Sequence, residues 1–224
     1  MDLDSFEPKS AKLLYHKSLL VGWEEDKFLN WHLIVNSYME KRISFEKDRI
    51  PALAGLAAQM QAAGAGQYLA GLWRENLPMD LLWVSRGYQK TRKFGAPTWL
   101  WVSVGGRPGS VYYRRMTESY SMHKIRARVI CLEWEAPGQE LTRVDPNGSI
   151  TLAAPIIKVQ IYRSSLPFQV QYKKLKGQYY PDLSDHQPEG QIFCLLIGEA
   201  IQNRYRMVQA LILQETSHVN NIYE

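Results

Sequence analysis

Residues 96–113 read Ala96-Pro-Thr-Trp-Leu-Trp-Val-Ser-Val-Gly-Gly-Arg-Pro-Gly-Ser-Val-Tyr-Tyr113. From Thr98 to Val104, Trp99, Trp101 and Ser103 alternate with Leu100, Val102 and Val104. Successive side chains of a strand point to opposite faces, so large residues at both parities predict a central strand covered on both sides. The glycine-rich run Gly105–Gly109 predicts a turn, and Ser110–Arg114 the returning strand of a hairpin.

Upstream of this block the period changes. Phe28, Trp31, Val35 and Tyr38 recur at spacings of three and four, which places them on one face of a helix expected within Leu13–Glu40. A second helix is expected over Arg49–Ala63. Ser44 and Asp48 are its candidate caps, Pro51 suits its first turn, and Gly64 ends it. It would bury Ile50, Leu53, Leu56, Ala57 and Met60. Gly55 inside it costs about 1 kcal/mol relative to Ala and predicts close approach of another backbone. Tyr68–Arg74 reads as a short helix, and Met79–Trp83 as another turn or two after Pro78.

Downstream, strands are expected at Lys124–Glu135, Ser149–Tyr162, Gly190–Ile197 and Arg204–Leu213. Ala136–Asn147 reads as loop and Ser164–Pro188 as a long polar, aromatic insertion. The expected architecture is α+β, with amino-terminal helices packed on a mostly antiparallel sheet or partial barrel. One domain is expected, with a helical part at 1–87 and a β-rich part at 88–224.

Composition narrows the function classes. The chain has 224 residues, 46% hydrophobic and 22% charged, as a globular protein does. Its net charge of +5 is spread over small clusters at Lys90–Lys93, Arg114–Arg115 and Lys173–Lys176. Specific nucleic-acid binding needs basic charge concentrated on one face, so none is expected. No apolar run approaches the ~20 residues of a membrane span, and the acidic start MDLDSFEPKS lacks the apolar core of a signal peptide. The expectation is a soluble cytoplasmic protein that does not contact a membrane. Cys131 and Cys194 lie in apolar runs and are expected to be buried free thiols.

Most catalytic constellations are not legible here. His16, His32, His123, His186 and His218 are dispersed without ligand spacing, so neither metal nor cofactor is expected. Asp182, Asp185 and His186 read as a solvated loop. The run Gly105–Ser110 opens no helix, so it is a turn and not a phosphate cradle. No Gly-x-Ser-x-Gly elbow exists. The candidates that remain are aromatic and polar. Trp31, Trp73, Trp83, Trp99 and Trp101 either form the core or line a substrate pocket. His32 is the candidate base beside such a pocket. Arg42, Asp48 and Arg49 form either a cap with an ion pair, or an acid and cation facing a cleft. In the second case Asp48 joins His32 as a catalytic candidate and Arg42 anchors substrate.

Several blocks fall in an order that carries a resemblance. They are Tyr38–Ser44 (YMEKRIS), Asp48–Ala57 (DRIPALAGLA), Tyr68–Trp83 (YLAGLWRENLPMDLLW) and Ala96–Tyr113. Gly148–Leu152, Asp185, Phe193–Gly198 (FCLLIG) and Asn203–Val208 continue it. Together they resemble the region downstream of the signature domain in fungal heterokaryon-incompatibility (HET) proteins. Thr98 and Leu100 stand where that family places serines, and its amino-terminal TIR-like domain is not recognised. The resemblance implies a stand-alone carboxy-terminal module with a regulatory or interaction role. The alternative is a small fungal biosynthetic enzyme, a cyclase or acid/base rearrangement catalyst. It would hold a hydrophobic metabolite among the tryptophans. The partner is then a hydrophobic small molecule or a protein, and the oligomeric state stays open.

Overall fold

Helix α1, Lys27–Met39, carries the predicted apolar face: Trp31, Ile34, Val35 and Met39 are buried, with Phe28 and Tyr38 packed beside them. The computed structural model describes residues 27–86, 95–104, 108–113, 120–135, 140–162, 168–172, 175–180, 191–202 and 205–214. The last carbonyls of a helix lack partners within it. Here the Met39 carbonyl accepts the Gly109 N–H at 2.6 Å, which ties the helix end to the later chain.

Helix α2, Pro51–Met60, starts with proline in its first turn and buries Leu53, Ala57 and Met60. Its N-cap is Ile50, with no side-chain cap bond, so neither Ser44 nor Asp48 caps it. The helix widens into a π-turn over Gln61–Ala65 and ends where Gly64 takes φ 80°, as the glycine cluster predicts. Nothing lies within 4 Å of a Cβ built on Gly55, so the expected backbone approach there is absent.

Tyr68–Arg74 is not a helix. Strands β1, Tyr68–Leu69, and β2, Leu72–Trp73, form a tight antiparallel hairpin. Its two turn residues, Ala70 (φ 49°) and Gly71 (φ 114°), both lie at positive φ, the requirement of a twist-matched two-residue turn. A one-turn helix at Met79–Leu81 follows, and then β3, Trp83–Ser85.

The alternating run Thr98–Val104 is not a strand either. Its second half, Trp101–Val104, is a short 3₁₀ helix with all four residues buried. A segment surrounded by core has large residues at both parities whatever its backbone, so alternation alone did not separate the two cases. Strand β4, Val111–Tyr113, pairs with β3 and not with the tryptophan run (Trp83↔Tyr113, Ser85↔Val111). Residues 105–107 lie outside the described residues.

The β-rich part centres on β11, Ile192–Gln202. One edge of β11 pairs along its length with β12, Tyr205–Gln214. The other edge pairs first with β8, Ile156–Tyr162, and then with β5, Tyr120–Ile125, all antiparallel. The expected insertion at Ser164–Pro188 contains a hairpin of β9, Phe168–Tyr172, and β10, Leu175–Tyr179, which extends this sheet beyond β8. The sheet order β10-β9-β8-β11-β12 is open, so the barrel is partial and not closed. Both faces of β11 are apolar. Leu195 and Ile197 pack with Ala127, while Ile192 and Cys194, of opposite parity, pack with Val159.

A separate ribbon pairs β6, Arg128–Glu133, with β7, Ser149–Ala153. A bulge at Ile130 breaks its register. The expected single strand Ser149–Tyr162 is therefore two strands, β7 and β8, which end and start on either side of Ala154-Pro155. The fold is α+β. Its largest core joins α1, α2, the β1–β2 hairpin and Leu100–Val104 with Val111 and Tyr113, and so crosses between the 1–87 and 88–224 parts.

Candidate functional site

The Gly71 carbonyl organises the aromatic cluster. Trp31 Nε1 on α1 donates to it at 2.8 Å and Trp101 Nε1 on the 3₁₀ helix at 3.3 Å. A Cβ at Gly71 would stand 2.6 Å from the Trp101 ring, so glycine is required there by contact as well as by φ. Trp31 also meets Trp73 edge to face at 5.5 Å and Tyr68 at 5.7 Å, distances favoured by the ring quadrupole. Trp31, Trp73 and Trp101 are each 0% exposed.

Trp83 and Trp99 form a second, half-buried layer. Trp83 Nε1 donates to the Trp99 carbonyl at 3.0 Å, and Trp99 Nε1 to the Gly148 carbonyl at 3.0 Å. Trp99 then meets Trp134 edge to face at 5.7 Å. Backbone carbonyls thus take four of the five candidate indole N–H groups. The fifth, Trp73 Nε1, and the Tyr68 hydroxyl are buried without a hydrogen-bond partner among the described residues.

Below this cluster lies a polar network that the sequence reading did not assemble. Asp80 is fully buried. Its Oδ1 accepts from His32 Nε2 at 2.6 Å and from Asn76 Nδ2 at 2.6 Å, and its Oδ2 accepts the Trp73 backbone N–H at 2.5 Å. The Tyr113 hydroxyl donates to the Asp80 carbonyl at 3.0 Å. The His32 ring stacks on the Tyr113 ring at 3.9 Å, nearly parallel. Asn36, one turn along α1, exchanges two hydrogen bonds with the Tyr113 backbone at 2.7 and 2.6 Å. A buried carboxylate is tolerable only when it is hydrogen-bonded, and here three donors reach it, two on Oδ1 and one on Oδ2. Burial, the neighbouring Asp80 carboxylate and Tyr68 together hold the Tyr113 phenol well above its ordinary range.

A histidine oriented by a buried carboxylate has the form of a general base. Base chemistry also needs a substrate beside the ring, and His32 is 7% exposed with one ring face covered by Tyr113. Arg42 and Asp48 are exposed, and among the described residues neither forms a hydrogen bond or ion pair with His32 or the tryptophans. Arg49 is buried instead and donates to Met39 Sδ at 2.8 Å. The structure therefore joins His32 to the tryptophans through Asp80 and leaves Arg42 and Asp48 outside that network.

An open groove of about 430 Å³ lies elsewhere. Arg74, Leu77 and Pro78 form one wall; Ile125 and the continuous run Ala127–Leu132 form the other. None of the five candidate tryptophans lines it. Ile125 is 53% and Ile130 50% exposed, and Cys131 lies in the same wall. Cys131 is exposed, contrary to expectation. The bulge at Ile130 is the reason, since the extra residue shifts the inward and outward alternation of β6. Cys194 is buried, as expected, and burial pushes its thiol up to about 11.

No group of three or more His, Cys, Asp and Glu side chains able to hold a metal occurs among the described residues. No described helix is long and apolar enough to cross a membrane. No protein-family model, no curated protein and no solved structure matches the chain.

Proposed function

We propose that this chain is a non-catalytic interaction module of the HET-protein type, which acts in the cytoplasm through its surface and not through a substrate cavity. The observation that supports this reading is the closure of the aromatic cluster. Trp31, Trp73 and Trp101 have no exposed surface, and backbone carbonyls satisfy two of their three indoles. Indoles that lined a ligand site would leave area and donors for the ligand. Accessible apolar surface includes Ile125 and Ile130 in the groove, with Phe45, Ile156 and Val208 exposed outside its lining. The ordered tryptophan and proline blocks support the family side of the proposal.

A second reading, a small fungal enzyme such as a cyclase, rests on the His32–Asp80 pair. Complementation of a strain lacking the protein separates the two. The Ile125→Asp/Ile130→Asp chain should fold, by circular dichroism, and fail to restore function. His32→Gln keeps an N–H donor for Asp80 but removes the imidazole. A folded His32→Gln chain that fails, beside a groove variant that restores function, would overturn the interaction reading in favour of the enzyme.

A further inference from the structure

We infer that the groove along β6 binds an extended segment of a partner protein, in which carboxylates alternate with apolar side chains, as an added antiparallel strand. The inference rests on the interaction-module reading and names its surface and ligand class. Three observations carry it.

The first is the lining. Residues Ala127–Leu132 face the groove without a gap. A groove on the face of a strand would touch every second residue. Contact with consecutive residues means that it runs along the strand edge, where the backbone N–H and C=O groups are. The second is pairing. β6 bonds to β7 on one side, and no described strand pairs with its other side. An unpaired edge is a template for another chain unless it is covered or charged against pairing.

The third is charge. Arg74 and Arg128 line the groove, no acidic residue does among the described residues, and the rest of the described lining is apolar apart from Cys131. Arg74 Nη1 is held by Gln67 Oε1 at 3.0 Å, which fixes one guanidinium at the rim. Arginine binds carboxylates through paired donors, so acidic side chains on the incoming strand are selected over basic ones. The exposed Ile125 and Ile130 offer apolar contact between them. The volume, about 430 Å³, lies in the range of ligand sites and suits a few residues of extended chain.

Cys131 supplies the readout, because it lines the groove and is exposed while Cys194 is buried. The full chain is alkylated with iodoacetamide and labelling at each cysteine is followed by mass spectrometry. The probes are the blocked peptide Val-Asp-Val-Asp-Val, its lysine counterpart Val-Lys-Val-Lys-Val, and the acidic peptide N-methylated at alternate residues. The acidic peptide should slow alkylation of Cys131 and leave Cys194 unchanged. Arg128→Glu should weaken that protection about tenfold, the scale of one lost charge-assisted contact. The methylated peptide should protect poorly, since it cannot complete the ladder.

Equal protection by the lysine peptide, or by the methylated one, overturns the added-strand model. So does no protection by any of them. If Cys131 is already slow without peptide and a chain lacking residues 1–10 frees it, the occupant is the chain's own acidic start, and the partner assignment is overturned. If Cys131 slows only as protein concentration rises, the occupant is a second copy, and the assignment is again overturned. Any of these results beside a non-functional Ile125→Asp/Ile130→Asp chain removes the proposed ligand but leaves the interaction-module reading standing.

Discussion

Replacing Asp80 with alanine removes the acceptor that joins α1 to the β2 strand and the Met79–Leu81 turn. Three donors lose their partner: His32 Nε2, Asn76 Nδ2 and the Trp73 backbone N–H. Asn76 is half-buried and regains water. His32 is 7% exposed and Trp73 0%, so their donors stay dry. Each buried donor left unsatisfied costs about 1–3 kcal/mol, and the lost charge-assisted bonds bring the total to about 3–6 kcal/mol. That is a large part of a typical domain stability of about 5–15 kcal/mol. Asp80→Asn keeps the shape and one acceptor oxygen but turns an amide toward one donor, and should cost about half as much. Urea denaturation followed by circular dichroism measures both, read as a shift in midpoint at constant slope. A double-mutant cycle with His32→Ala should give a coupling of about 1–3 kcal/mol. An Asp80→Ala cost below about 1 kcal/mol would show that the network is not dry and that water replaces the lost acceptor.

Stability should also fall in alkali. The Tyr113 and Tyr68 phenols are both raised above 10.0, chiefly by burial, so the folded chain keeps protons that the unfolded chain releases above about pH 10. With two such groups the slope is about 2.7 kcal/mol per pH unit. Cys194, raised from 9.0 to about 11, adds its share between those values. Tyr68→Phe should roughly halve the slope above pH 10 and be neutral or stabilising at pH 7, since its hydroxyl has no partner among the described residues; an unchanged alkaline slope by urea titration at several pH values contradicts this. The two glycines should move in opposite directions in thermal melts. Gly71→Ala meets both positive φ and the Trp101 ring, and should cost on the order of 4 kcal/mol. Gly55→Ala has open space around it on α2, and should gain about 0.5–1 kcal/mol.

The helices were legible because their signals are local. The spacing of Trp31 and Val35 marks a buried face, and Gly64 at φ 80° stops the second helix where a glycine cluster stands in the sequence. The hairpin at Tyr68–Trp73 was hidden because Ala70 occupies a left-handed position that alanine rarely takes. The Leu100–Val104 run misled because burial on every side gives no period to read. Asp80 carried a usable signal: it is a lone carboxylate in the apolar run Leu77–Trp83, and a buried acid demands donors. Its partners His32, Asn36 and Tyr113 come from distant parts of the chain, so only the fold could name them. The groove had no such signal. It lies along β6, which pairs only with β7 among the described strands and bulges at Ile130, and neither property is written in composition.

An interaction module without a substrate cavity requires the aromatic cluster to be closed core and not a ligand pocket. Hydrogen exchange of the tryptophan indoles, followed by NMR on ¹⁵N-labelled protein, tests this directly. Trp31 and Trp101 share the Gly71 carbonyl and are 0% exposed. Their N–H groups should exchange only through global opening, over hours or longer, and move in step with mutations that change overall stability. The half-buried Trp83 and Trp99 should exchange sooner. Exchange of the Trp31 and Trp101 indoles within minutes, in a chain of normal melting temperature, would mean that solvent reaches them and that the cluster is a pocket and not closed core.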